Sequence, residues 1–338
     1  MNAHDIIRRY GWNTMSSQLL APGIRHWFSP DRDAMVGYVE TSSHMVIAGS
    51  PVASDADLGD VTEQFLRFVR RSGKSPIVFG AQDRLLSEWP VNEIVSRVLI
   101  GMQPVWHPEE LSERFRSVRS LRAQVHRAVN KGITVRRATT MDATLQRAME
   151  QCRRSWLRQH PMTELHFLVE STIPAQCDGR IILLGERDDE AIAGYCIAVP
   201  IPMRKGWLIE HLVRSAEAPN GITELLVQRM AEMLRSEGAE FVTLGLSPLS
   251  EPTLRSATGP WWTTALFRGM RLFGERWYHF RGLERFKEKF RPARREPVYL
   301  LAGAPEITPA VFHAVAAAFL GVTPGAFLRR QLMRPFLP

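Results

Sequence analysis

Cysteine is scarce and scattered: Cys152, Cys177 and Cys196 are the only three in 338 residues, and no two form a CxxC pair. Such spacing supplies neither a zinc ligand set nor a disulfide framework, so no metal is expected and a reducing cytoplasm is the natural compartment. Cys196, inside AIAGYCIAVPI, reads as a buried strand residue. Long apolar runs are missing too. No stretch reaches the roughly 18 to 20 apolar residues of a membrane span. Asp5, Arg8 and Arg9 interrupt any leader-like run at the start. Also absent are a GxGxxG after a strand, a GxxxxGK[ST] loop, HExxH and GxSxG, which leaves nucleotide folds, zincin chemistry and a serine elbow without support.

What is present is positive charge. Lys and Arg number 43 against 35 Asp and Glu, a net charge of +8. That balance favours contact with polyanions such as RNA or an anionic bilayer. With 45% hydrophobic and 23% charged residues the chain reads as globular, and 338 residues suit two domains.

Two sheet-forming regions flank a basic helical middle. MVGYVE (Met35 to Glu40) and HMVIAG (His44 to Gly49) read as paired strands, followed by a helix from Asp57 to Arg71 and the strand SPIVFG. Another strand starts near Ser96. From Leu111 onward, Phe115, Val118, Leu121, Val125 and Val129 mark one apolar helix face, while Arg116, Arg119, Arg122, Arg127 and Lys131 fill much of the rest. Gly132 reads as its C-cap before the strand ITVRR. After a helix over Met141 to Gln159, strands are expected from Arg180, Ala191 and Lys205, then a helix after Pro219-Asn220-Gly221 and the strand EFVTLGL. Helical segments around Trp261 to Phe273 and a strand at Val298 to Leu301 complete the set. This order is that of an N-acetyltransferase-type (GNAT) unit, and the first half follows a looser version of the same plan. The expected fold is α+β: two such domains in tandem over 1–137 and 138–304, with a helical tail over 305–338. The [QR]xxGx[GA] loop that grips CoA in such folds is lacking.

The candidate chemistry lies at strand ends in the second half. Glu210 and His211 sit side by side on one strand, so strict alternation sends them to opposite faces, and one of them is the candidate base. Asn220 and Gly221 form a turn into a helix whose free N–H groups suit an oxyanion or phosphate. Gly245 and Ser247, in LGLSPLS, suggest a splayed strand with close approach to a ligand. From Arg268 to Arg295 there are ten Arg or Lys, interleaved with Trp277, Tyr278, His279, Phe280, Phe286 and Phe290. That mixture suits RNA bases and anionic lipid equally. The tail segments VFHAVAAAFLGV and AFLRRQLMRPFL mix apolar and basic character as an interfacial helix does, with packing on the second domain as the other reading.

Several blocks carry a family likeness. IEHLVRSAEAPNGITELLVQRMAEMLRSEGAEFVTLGLSPLS followed by GLERFKEKFRPARREPVYL resembles the catalytic domain of phosphatidylglycerol lysyltransferases, the aminoacyl-phosphatidylglycerol synthases. YGWNTMSSQLLAPGIRHWF, VGYVETSSHMVIAGSPVA and LRAQVHRAVNKGITV are similar to that domain's earlier blocks. The resemblance implies an aminoacyl-tRNA donor, a lipid hydroxyl acceptor, no cofactor and no covalent intermediate. It implies functional weight on Arg214, Asn220, Lys287 and Lys289, with Arg291 beside them. Two departures stand out. The family usually writes Asp-Leu-Met-Arg where this chain has His211-Leu212-Val213-Arg214, and Trp-Glu-Pro where it has Ala293-Arg294-Arg295-Glu296-Pro297.

The expectation is therefore an aminoacyl-tRNA-dependent transferase acting on an anionic membrane lipid or lipid-like acceptor, peripheral on the inner face of the cytoplasmic membrane. Glu210, His211 and Arg214 are its catalytic candidates; Asn220, Gly221, Gly245, Ser247, Lys287, Lys289 and Arg291 are its substrate contacts. An acyl-CoA-dependent N-acyltransferase and a non-catalytic RNA- or membrane-binding tandem domain are the alternatives.

Overall fold

The computed structural model describes residues 2–159, 173–256, 260–273 and 280–321. Helix α1 (Ala3–Tyr10) begins with a reciprocal cap: the Asp5 amide donates to Asn2 Oδ1 and the Asn2 amide to Asp5 Oδ2. A 3-10 turn over Ser16–Leu20 leads into β1 (Arg25–Phe28), β2 (Met35–Glu40) and β3 (His44–Ala48). Then come α2 (Leu58–Arg71), β4 (Ser75–Ala81), α3 (Asp83–Ser87) and the long β5 (Ser96–Trp106).

The basic middle reads as one helix, but the chain makes two, α4 (Pro108–Ser117) and α5 (Arg119–Val129). Val118 takes an extended ψ of 110° between them and breaks the ladder. Leu111, Phe115, Val118 and Leu121 are buried as expected, whereas Val129 is exposed and Ala128 occupies the core in its place. The five cations named on this stretch are all exposed.

The second half runs β6 (Thr134–Ala138), α6 (Ala143–Gln159), β7 (Ile181–Glu186), β8 (Ile192–Ile201), β9 (Gly206–Arg214), α7 (Ile222–Ser236), β10 (Phe241–Thr243) and β11 (Ser247–Pro248). It closes with α8 (Glu251–Arg255), α9 (Trp261–Phe273), α10 (Phe280–Glu288), β12 (Arg294–Ala302) and α11 (Pro309–Leu320).

The strands join in one sheet, ordered β1-β2-β3-β4-β12-β5-β10-β9-β8-β7-β6, with β11 beside β5. Each half repeats one pattern: an antiparallel run (β1-β2-β3, or β7-β8-β9), a crossover helix (α2 or α7), then a parallel strand (β4 or β10). This is the tandem acetyltransferase-like α+β plan. The halves also exchange strands. β12, from the end of the second half, pairs antiparallel with β4; β5, from the first, pairs antiparallel with β10; and β5 and β12 pair with each other at the seam.

The contacts shift the expected division at 137. β6 pairs with β7, and α4 and α5 pack on α7, so the chain from α4 through β10 joins the second half's core, while Leu249, α9 and β12 return to the first. The reason is apolar burial: Leu111, Phe115 and Leu121 have their partners in Leu225, Leu226 and Phe290 rather than in the first sheet. Helix α11 is not a free tail. Val311, Ala314, Val315 and Ala318 are buried with β3 and β4 of the first half, and Phe319 meets Phe79 edge-on at 4.9 Å. Residues 326–337 of the expected interfacial segment, and Trp277, Tyr278 and His279, lie outside the described residues.

Candidate active site

The register between β8 and β9 slips by one residue in the middle. Ile197 pairs with His211 and Ala198 with Ile209, so Glu210 is the extra residue of a β-bulge. On one side of it, Ile209 and Leu212 pack with the α5–α7 core; on the other, Val213 packs with Tyr195 and Ile197 in the α6 core. The bulge thus turns Glu210 and His211 to the same face, contrary to strict alternation. Glu210 Oε2 lies 3.8 Å from His211 Nε2. The carboxylate is only 7% exposed and the imidazole 16%.

A third side chain completes the group. Gln18, on the 3-10 turn of the first half, donates from Nε2 to Glu210 Oε1 at 2.7 Å. Oε2 is buried and accepts no hydrogen bond. Burial pushes the Glu210 carboxyl above the usual carboxylate range, opposed by the Gln18 hydrogen bond and by the charge of Arg180. One oxygen is therefore fixed by an amide, while the other keeps an open lone pair and a raised proton affinity. Such an oxygen can take a proton from an attacking hydroxyl or hold an ammonium.

The gap beside this pair comes from a short β10. Its parallel pairing with β9 ends at Leu208↔Thr243, and the chain rejoins the sheet only at Ser247↔Met102 on β5. EFVTLGL therefore forms three strand residues rather than a full strand. Thr243 Oγ1 donates to the Pro104 carbonyl and accepts from the Gly245 amide, and Gly245 has φ +74°, so the chain bends out of the sheet there. Lys287 secures the bend. Its buried Nζ donates to the carbonyls of Gly245 at 2.9 Å and Leu246 at 2.8 Å. With no carboxylate partner in those contacts, burial pulls its pKa down to about 7. Lys287 thus serves as an internal brace rather than the phosphate contact expected of it. Ser247 is buried in the β11–β5 pairing.

The N-terminus of α7 packs closely against α5. Gly221, at φ +98°, lies so close to α5 that a Cβ would stand 1.9 Å from the Gln124 carbonyl oxygen. The buried Glu224 occupies the first turn, accepting from Thr223 Oγ1 at 2.8 Å and from Lys289 Nζ at 3.1 Å. A carboxylate and a carbonyl thus stand close to the helix end expected to hold an oxyanion or phosphate, and Lys289 is committed to that carboxylate. Asn220 is exposed on the turn. Arg214, half-buried, ends β9 opposite Gly194. Arg291 is exposed, at φ +47°, after α10.

Reading the sequence missed Gln18 and Arg180, and also the network that carries Gln18 to the site. Trp12 lies under two guanidinium groups, Arg84 at 5.4 Å and Arg204 at 4.7 Å from the ring centroid. Arg204 also covers Phe241 at 3.6 Å and pairs with Glu296, Nη1 to Oε2 at 2.8 Å. Gln82 donates to the same oxygen, and Asn13 donates to Gln82 and to the Gly80 carbonyl. The only signal for this in the sequence was the polar content of YGWNTMSSQLL, unusual for a segment that ends buried. Among the described residues no cluster of three or more metal-ligating side chains occurs.

Two acetyltransferase-like halves that exchange strands, with a strand splay beside a buried carboxyl and imidazole, define a tandem acetyltransferase-like class of α+β domain. The family model for the phosphatidylglycerol lysyltransferase C-terminal domain matches residues 4–302, and the chain belongs to that family of transferases. The lysylphosphatidylglycerol biosynthesis bifunctional protein LysX of Nocardia farcinica is 24% identical over 273 residues, covering 78% of this chain and 24% of that protein. The LysX protein of Rhodococcus jostii is 23% identical over 271 residues, with the same coverage of 78% and 24%. The chain thus spans about a quarter of the length of these relatives. Two solved structures share the fold. L-PGS from Bacillus licheniformis has a TM-score of 0.78 at 18% identity, covering 94% of both chains. The C-terminal domain of a protein designated a lysylphosphatidylglycerol synthetase in Agrobacterium fabrum has 0.77 at 20%, covering 95% of this chain and 96% of that one.

Proposed function

We propose that the chain moves an aminoacyl group from a charged tRNA to a hydroxyl of phosphatidylglycerol or a similar anionic lipid. The observation that carries this reading is the Glu210 carboxyl, anchored by Gln18 through one oxygen and open at the other, beside His211 at the edge of the β9–β10 gap. An aminoacyl ester is already activated, so catalysis requires placement, a base and stabilisation of the oxyanion. In the proposed step, Glu210 Oε2 takes the proton of the lipid hydroxyl as its oxygen attacks the ester carbonyl. The tetrahedral intermediate then collapses with loss of the tRNA ribose oxygen, to which Glu210 returns the proton. His211 polarises the carboxyl from 3.8 Å. Arg214, at the end of the same strand, is assigned to the developing oxyanion or the lipid phosphate. Gly245 and Ser247 shape the wall of the gap, and Asn220 and Arg291 are surface contacts for the tRNA. No cofactor takes part, and the reaction belongs at the cytoplasmic membrane face.

The LysX relatives are named for lysylphosphatidylglycerol biosynthesis, which supports the lipid as acceptor. The Glu224 carboxylate in the first turn of α7 and the Gln124 carbonyl beside Gly221, where a CoA pyrophosphate would bring further negative charge, speak against the acyl-CoA alternative. The test is transfer of radiolabelled amino acid from charged tRNA into chloroform-soluble material. RNase-sensitive transfer that falls at least ~100-fold in Glu210→Gln is the expected result. No transfer from any charged tRNA overturns the reading.

A further inference from the structure

Helix α9 is apolar on the side where a surface helix should be polar. Among the described residues seven large hydrophobic side chains are exposed, and three of them, Trp261, Met270 and Leu272, are on this helix. Trp261 is 83% exposed and Leu272 61%. Trp261, Ala265, Arg268 and Leu272 recur at steps of four, three and four, so they form one stripe, and all four are exposed.

The stripe is not the product of a loosely held helix. On the inner side Thr263 and Phe267 are buried, and Trp262 and Leu266 pack on the same core. The Trp262 and Phe267 rings each meet Phe312 of α11 edge-on at 5.7 Å. Arg271 ties the helix at two more points, donating to the Leu249 carbonyl at 2.6 Å and pairing with Glu284 of α10 at 2.8 Å. The orientation of α9 is thus fixed, and its outward apolar stripe is a property of the folded chain.

The surrounding charge is cationic. Arg268 stands in the stripe, and Arg281 and Arg285 flank Glu284 on α10; all three are exposed, and none is ion-paired among the described residues. The acids nearby, Glu251 and Glu284, are both engaged by Arg271. An indole and a leucine facing solvent, with an unpaired guanidinium between them, match the border of an anionic bilayer. There the rings and alkyl groups enter the acyl boundary while the cations meet headgroup phosphates.

We propose that the outer face of α9 docks this protein on an anionic membrane surface. RNA fits less well. Leu272 offers nothing to a base or a phosphate, whereas α4 and α5 display the exposed cations Arg116, Arg119, Arg122 and Arg127 to a polyanion. Docking needs no tRNA and no turnover, so it stands or fails apart from the proposed transfer reaction.

The experiment is co-sedimentation of the full chain with vesicles of phosphatidylcholine alone and of phosphatidylcholine with 30% phosphatidylglycerol. Wild type is expected on the anionic vesicles and mostly free of the neutral ones. The double variant Trp261→Ser/Leu272→Ser should lose at least ~10-fold in partitioning, since both side chains surrender apolar burial. Arg268→Glu should weaken binding to anionic vesicles alone. Both variants alter outward side chains, so an unchanged thermal melt serves as the folding control. Undiminished vesicle binding by both overturns the proposal. So does retained vesicle binding together with lost binding of uncharged tRNA, which would make α9 an RNA surface.

Discussion

Glu210 and His211 are consecutive in the chain and yet share one face of the sheet, their carboxylate oxygen and ring nitrogen 3.8 Å apart. A single extra residue in β9 does this, and its effects are measurable.

The raised proton affinity of Glu210 fixes the sign of two pH dependences. Between the ordinary value of 4.5 and the higher folded value, the folded chain binds the proton and the unfolded chain does not. The stability contribution of this group is therefore complete below 4.5 and is lost as pH rises through the folded pKa. Urea midpoints of wild type and Glu210→Gln should diverge above that window, in favour of the variant. In the transfer assay, the acid limb of kcat/KM should lie above the usual carboxylate range in wild type and vanish in the variant. A wild-type limb at or below 4.5 would contradict the burial argument.

Gln18 acts through Glu210 and is a positioning residue. Gln18→Leu removes the hydrogen bond that holds Oε1 and favours the charged carboxylate. The acid limb should move to higher pH and kcat should drop ~10-fold with little change in KM. Gln18→Glu should not rescue, because it sets a second carboxylate against the first. A uniform loss of folded protein, with an unshifted pH profile in what remains, would reduce Gln18 to a structural role.

Lys287 makes an opposite prediction. Its pKa falls from 10.5 to about 7 in the folded chain, so between those values the unfolded state holds the extra proton and stability rises with pH. Relative to Lys287→Met, wild type should gain steadily from pH 7 to pH 9.5, and urea midpoints over that range decide it. Parallel curves would mean that the ammonium stays charged on its two carbonyls.

Gly221 is constrained twice, by a φ of +98° and by the Gln124 carbonyl 1.9 Å from where a Cβ would lie. Gly221→Ala should destabilise by roughly 2–4 kcal/mol, since strain and a backbone clash add. The loss should appear as a lower Tm, with α5 more exposed to proteolysis at Gln124. An unchanged Tm would show that α5 can withdraw freely from α7.

Much of this architecture is legible along the chain. β2, α2 and α9 fall within a residue of where apolar periodicity puts them, because local patterning and burial agree there. The family, too, is legible from its blocks, since the family model matches residues 4–302. What escaped depends on partners far away. Alternation is a rule for a regular strand and says nothing of a bulge, so Glu210 was sent to the wrong face. Gln18 meets Glu210 across 192 positions, and no periodicity carries that distance. Lys287 looked like a phosphate contact because cations near aromatics usually stay wet; only the bend at Gly245 shows why this one is internal. The helix break at Val118 has neither Gly nor Pro to announce it.

The strand exchange at the seam also sets a timetable. β4 waits for β12, more than 200 residues later in synthesis, before its open edge is covered, and β10 needs β5 from the earlier half. Between the synthesis of β4 and that of β12, the nascent chain therefore carries an open sheet edge that only a distant strand can cover.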